Sequence, residues 1–209
     1  KKENISESFI NNQIQPSSMD LTLSEECYEI SASFLSSNKT VRENLKQVIL
    51  KKIDLNNTYT LEKNKIFLIR LNENLDLSKN IFGICNPKSS TGRLDIFCRT
   101  ILDNSDEYEK IPQNYKGELF LEVTSNSFDI ELQKNDSLNQ MRLIYDDHVY
   151  VNDDELIKVH KNNFLTLNKF NKKILPDLKN GLKISVDLSN DNLINGYIAK
   201  YNAPKINFR

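Results

Sequence analysis

Hydroxyls and positive charge crowd into one corner of this sequence, NPKSSTGRLDIFCR at residues 86–99, where Lys88, Ser89, Ser90 and Arg93 follow a proline. Pro87 disfavours helical geometry at Asn86, and Leu94, Phe97 and Ile101 recur beyond it at helical spacing. A helix starting within Ser89–Thr91 would present amides with no internal partner at the positive end of its dipole. An anion can sit there, with the serine hydroxyls and the flanking Lys88 and Arg93 around it. The same residues also fit a plainer role, Ser89 or Ser90 as a helix N-cap and both cations solvated. The G-x-x-x-x-G-K spacing of a P-loop is missing.

A second chemical candidate lies in YKGELFLEVTSN. As a strand it puts Leu119, Leu121 and Val123 on one face and Glu118, Phe120 and Glu122 on the other. A carboxylate beside an aromatic ring in a half-closed pocket is desolvated, which suits it to shuttle protons. A solvent-facing strand glutamate has the same pattern, so residue chemistry alone does not single out Glu122.

Metal chemistry has little to build on. Cys27, Cys85 and Cys98 form no C-x-x-C pair, and their odd number argues against a disulfide framework. The two histidines, His148 and His160, lie in a polar stretch without ligand spacing, and the H-x-E…P-C-x-x-C signature of zinc deaminases is missing. A formal net charge of -1 excludes a global basic field, so wholesale nucleic-acid binding is not expected. Apolar runs such as IFLI fall far short of the roughly 20 residues of a membrane-spanning helix, and no cationic n-region opens the chain. With the reduced cysteines, this points to a cytoplasmic setting.

The elements that must position these residues read as short strands over most of the first 145 residues. SSMDLTLS and CYEISASFL alternate apolar and polar residues. KIFLIRL, NIFGICN, GELFLEV, FDIEL and SLNQMRLIY follow, separated by Asn, Asp, Gly and Pro clusters. One helix interrupts at TVRENLKQVILKK, where Thr40 and Glu43 make a capping box and Val41, Leu45, Val48 and Ile49 share a face. The expected class is mainly β, a sandwich or barrel with a few short helices. Residues 146–177 read as a polar linker holding one short helix. LKISVDLSN then repeats the S-x-D-L of Ser18–Leu21 at Ser185–Leu188, an interval the size of a domain.

In order, QPSSMDL, NPKSSTGR, YKGELFLE and LNQMRLIY resemble the motif succession of the dUTPase and dCTP deaminase superfamily. Within it the chain is similar to dCTP deaminase, in particular the double-length bacterial form with two related domains in tandem. NPKSSTGR is the most specific part, because dUTPases usually carry a P-R-S-G form there. The resemblance implies a dUTPase-like β-barrel or distorted jelly-roll over residues 1–145, and the start of an incomplete second repeat over 178–209.

The implied reaction is zinc-independent hydrolysis of dCTP to dUTP and ammonia. Glu122 would be the general acid/base that activates water for attack on C4 and protonates the departing ammonia. Ser89 and Arg93 would orient that water, while Lys88 and Ser90 would hold a triphosphate that carries its own Mg²⁺. Gln140 matches a glutamine that contacts the nucleotide, and Asp20 an aspartate with a structural or inter-subunit role. Where relatives carry I-D-P-G-x-x-G, this chain has IPQNYKG, leaving Pro112 in the place of the aspartate that grips the sugar. Tyr115 and Asp103 are the substitutes at hand. Relatives are trimers with sites shared between subunits, so a homo-oligomer is expected. The competing readings are dUTP diphosphatase, a bifunctional deaminase and diphosphatase, and a nucleotide-binding remnant with weak turnover.

Overall fold

The computed structural model describes residues 13–145, 151–168, 170–189 and 194–208. Its elements are β1 (Met19–Leu21), β2 (Leu23–Ile30), α1 (Val41–Val48), β3 (Ile49–Asp54), β4 (Tyr59–Leu61), β5 (Ile66–Asp76), β6 (Ile81–Pro87) and α2 (Ser89–Arg93). They continue as β7 (Ile96–Leu102), β8 (Lys110–Ile111), β9 (Lys116–Ser125), β10 (Ile130–Leu132), β11 (Asn139–Tyr145), α3 (Asp153–Asn163) and β12 (Ile206–Asn207).

The strands form three sheets, ordered β1-β11-β6-β8, β12-β10-β4 and β3-β2-β5-β9-β7. All pairings are antiparallel except β10 with β12. The expected mainly β architecture is therefore present. Alternation along β9 splits its side chains as the sequence requires. Leu119, Leu121 and Val123 enter the main apolar core, whereas Phe120 joins a second cluster with Leu68, Ile101, Tyr28, Val41 and Leu45. That second cluster lies under α1, whose capping box at Thr40 and Glu43 forms as expected.

Several expectations are corrected. The helix opening at Val41 stops at Val48. The ILKK stretch that follows instead pairs with β2, because Ile49–Asp54 completes that strand's ladder. Strand β2 ends at Ile30, so Ala32 and Phe34 leave the sheet, and Phe34 packs on the second cluster. The helix at Ser89 is a single turn; Asp95 takes a positive φ of 55° and Ile96 starts a strand, so Phe97 and Ile101 are strand residues.

Contacts divide the chain into two units, Lys1–Asp146 with Ala199–Arg209, and Asp147–Ile198. In the second unit α3 is capped by Asn152 and Glu155, the short helix expected in the linker. Among the described residues, Lys183–Ser189 and Ile194–Tyr201 form no strand, contrary to the alternation of LKISVDL and INGYIAKY. Their apolar side chains, Ile184, Val186, Ile198 and Tyr201 among them, are exposed. His148 lies outside the described residues.

Candidate active site

Strands β1, β6 and β11 lie side by side and bring the corner at Lys88 against Asp20 and Gln140. Asp20 is the register partner of Gln140, and Gln140 of Asn86. The single turn α2 is fastened from behind: the Lys88 amide and the Thr91 hydroxyl both donate to the Leu138 carbonyl, at 3.0 and 2.8 Å. This fixes Ser89 and Ser90, both exposed, at the mouth of an open cleft of about 380 Å³. Gln15, Ser18, Asp20, Lys88, Ser89, Ser90 and Gln140 line it.

Lys88 itself takes the N-cap position, and no side chain caps the turn. The serines are thus not consumed as caps, which removes the plainer reading of their hydroxyls. Lys88 is not a free cation: its Nζ donates to Asp20 Oδ2 at 2.5 Å. Ser18 donates to Gln140 Oε1 at 2.9 Å. Asp20 thus pairs with the cation of a cleft otherwise lined by hydroxyls and amides.

Glu122 lies elsewhere, on the face of the five-stranded sheet shared with Phe120, and it is 2% exposed. Its Oε1 accepts from Arg99 Nε at 2.9 Å across β7 and β9, where the two residues are register partners. Its Oε2 is buried and has no hydrogen-bond partner among the described residues. An unsatisfied buried carboxylate oxygen is costly, and Glu109 Oε2 is in the same state. Arg93 is exposed at the end of α2.

Two other expected residues have contacts within the fold. Asp103 Oδ1 accepts from the Val41 amide at 2.7 Å and so serves the start of α1. Tyr115 is buried, and its hydroxyl donates to the Glu118 carbonyl at 2.5 Å; burial pushes that phenol up. Lys88, Ser89, Ser90 and Gln140 therefore share one cleft, while Glu122, Arg93, Tyr115 and Asp103 do not line it.

Sequence reasoning missed Arg99, Tyr108 and Glu109. The Arg99 guanidinium lies 3.7 Å from the centroid of the Tyr108 ring and 5.3 Å from that of Phe97. Glu109 Oε1 accepts from the Thr100 amide at 2.9 Å; burial raises its pKa, while that hydrogen bond and the Arg99 charge oppose the rise. No motif announces these residues, because strand register alone sets Arg99 opposite Glu122.

Among the described residues no three His, Cys, Asp or Glu side chains converge as a metal site. All three cysteines are buried, and burial pushes the Cys27 and Cys85 thiols up to about 12 and Cys98 higher still. His160 Nδ1 accepts from the Leu165 amide at 3.1 Å. No helix among the described residues is long and apolar enough to cross a membrane.

A crystal structure of 2′-deoxycytidine 5′-triphosphate deaminase from Agrobacterium tumefaciens has this fold, with a TM-score of 0.79 at 32% identity over 89% of this chain and 54% of that one. The chain thus spans about half the length of that protein. Comparison with curated proteins gives no match. The family model of the 2′-deoxycytidine 5′-triphosphate deaminase N-terminal domain matches residues 1–147, and the chain belongs to that family.

Proposed function

We propose that this chain carries out, or forms the N-terminal part of a protein that carries out, the hydrolytic deamination of dCTP to dUTP and ammonia. The observation that carries the reading is Glu122, a buried carboxylate with one oxygen tied to Arg99 and the other without a partner among the described residues; Glu109 shares that state, and the place of Glu122 in LFLEV, where the family resemblance sets the acid/base, separates the two. A general base needs an oxygen free to take a proton from water at hydrogen-bonding distance. Oε2 takes that proton as the water oxygen bonds to C4 of the cytosine ring. Glu122 passes that proton to N3 as the N3=C4 double bond opens, then carries the proton of the new C4 hydroxyl to the exocyclic nitrogen as the C4–N bond breaks, leaving C4=O and ammonia.

Ser89 and Arg93 orient the water and balance charge in the addition step, and Lys88, Ser90 and Gln140 hold the triphosphate end. Mg²⁺ would be carried by the triphosphate as part of the substrate. Because the Lys88–Ser90 cleft and Glu122 stand apart within one chain, the working site joins the cleft of one subunit to the Glu122 face of a neighbour. The trimer implied by the family resemblance supplies such a neighbour.

Incubating the purified chain with dCTP and Mg²⁺, then with dUTP, and separating the products by chromatography tests the reading. Ammonia and dUTP from dCTP support it. Pyrophosphate with dUMP from dUTP as the sole reaction replaces it with diphosphatase chemistry, and binding of dCTP without turnover leaves a nucleotide-binding chain.

A further inference from the structure

Glu122 is almost fully buried, and its only ion pair among the described residues is with Arg99. A buried carboxylate stays charged only if something nearby compensates it. Arg99 is well placed to do more than compensate, because its own geometry is pinned from two directions. The sheet register sets its backbone opposite Glu122, and the ring of Tyr108 lies under its guanidinium at 3.7 Å. Tyr108 is held in turn: its hydroxyl donates to the Phe34 carbonyl at 3.3 Å and its ring packs on the second apolar cluster. The next residue, Glu109, takes a positive φ of 66°, fixing the loop that delivers the ring.

The contact to Glu122 is also one-sided. Among the described residues only Nε engages it, and only through Oε1, so the carboxylate is held by one oxygen while the other, buried, has no partner.

We propose that Arg99, laid on Tyr108, is a positioning residue for Glu122: it fixes Oε1 and the plane of the carboxylate and leaves Oε2 as the oxygen that exchanges protons with the reacting water. Arg99 keeps its charge throughout. Its Nε–H donates to Oε1 both when Glu122 is ionised and when Oε2 carries the proton. The proposal rests on the deaminase reading for the identity of the reaction, but the Tyr108–Arg99–Glu122 arrangement is testable without it.

The test compares Arg99→Met, Arg99→Lys, Tyr108→Leu and Tyr108→Phe in the full chain, using initial rates with dCTP, dCTP binding by calorimetry and the carboxyl signal of Glu122 in protein labelled with carbon-13 glutamate. The signal is assigned by its disappearance in Glu122→Gln. Losing one charge-assisted hydrogen bond should lower kcat about 10–100-fold in Arg99→Met with KM and dCTP affinity little changed. Ethylguanidinium added to Arg99→Met should restore part of the rate. Tyr108→Leu should show a smaller loss and Tyr108→Phe almost none, since the ring is what supports the guanidinium.

The Glu122 signal should move in Arg99→Met and Tyr108→Leu and stay in place in Tyr108→Phe. An unmoved signal in Arg99→Met, or equal behaviour of the two Tyr108 variants, overturns the proposal. If Arg99→Met does not fold, Arg99→Lys and the Tyr108 pair decide it by the same criteria. A shifted signal in a protein that releases no ammonia from dCTP keeps the positioning role and rejects the deaminase reading; ammonia release with an unmoved signal does the reverse.

Discussion

Replacing Glu73 by leucine tests how the cleft is braced. Glu73, 1% exposed on β5, accepts from the Thr22 amide at 3.0 Å, the Thr22 hydroxyl at 2.7 Å and Gln13 Nε2 at 2.6 Å. Gln13 also donates to the Asp20 carbonyl at 2.7 Å, so this carboxylate ties the strand that bears Asp20 to the main sheet. Leucine would leave the Thr22 amide and hydroxyl as buried donors without that acceptor, at about 1–3 kcal/mol each, partly offset because a costly buried charge is also removed.

The expected net loss is about 2–4 kcal/mol, or a fall in Tm of about 5–15 °C for a chain of this size. Thr22→Val in the Glu73→Leu background should recover up to about 1 kcal/mol, because the hydroxyl no longer needs an acceptor, while Asn72 Nδ2, which donates to it at 3.0 Å, keeps the Leu23 carbonyl and Asn135 as acceptors. Burial raises the Glu73 pKa, against the opposing hydrogen bonds from Thr22 and Gln13. The contribution from its titration is therefore fully present below the ordinary carboxylate pKa and is lost as pH rises through the raised value. The deficit of Glu73→Leu should be larger near about pH 4 than near about pH 8. Urea unfolding of the four proteins in this cycle, at both pH values, measures it. Additive losses, or a deficit that grows with pH, would refute the bracing argument.

Glu26 behaves with the opposite sign. Its hydrogen bonds with Arg42 hold it at about 2, with Tyr28 and Arg70 adding to the effect. The stability it contributes is present above the ordinary carboxylate range and is lost as pH falls towards about 2, and Arg42→Met should reduce that acid dependence in a pH titration of Tm, leaving the part due to Tyr28 and Arg70. The thiols of Cys27, Cys85 and Cys98 should be inert to a disulfide reagent in the native protein and react only on unfolding; fast native labelling would contradict their burial.

How far the sequence speaks depends on which interactions define an element. Strands β5, β6, β9 and β11 are legible because each combines a local alternation with turn residues at its ends, and the start of α1 because its cap is local. The end of α1 is not, since nothing in ILKK breaks a helix and only pairing with β2 makes it a strand. Leu94, Phe97 and Ile101 misled for a related reason. A spacing of four suits both a helix face and a strand face, and the positive φ at Asp95 decides between them. The residue types of Lys88, Ser89 and Ser90 prompt the expectation of an anion site, but not the ion pair that Lys88 makes with Asp20, which depends on long-range strand order. Arg99 was hidden in the same way: its partner is set by register.

The proposed role of Glu122 as the residue that moves the proton is tested most directly by Glu122→Gln. Glutamine keeps the shape and a carbonyl oxygen for Arg99 Nε but cannot take a proton from water. Ammonia release from saturating dCTP should fall at least about 10²-fold while dCTP binding by calorimetry persists. Turnover close to that of the parent in a variant that still binds dCTP would contradict the account.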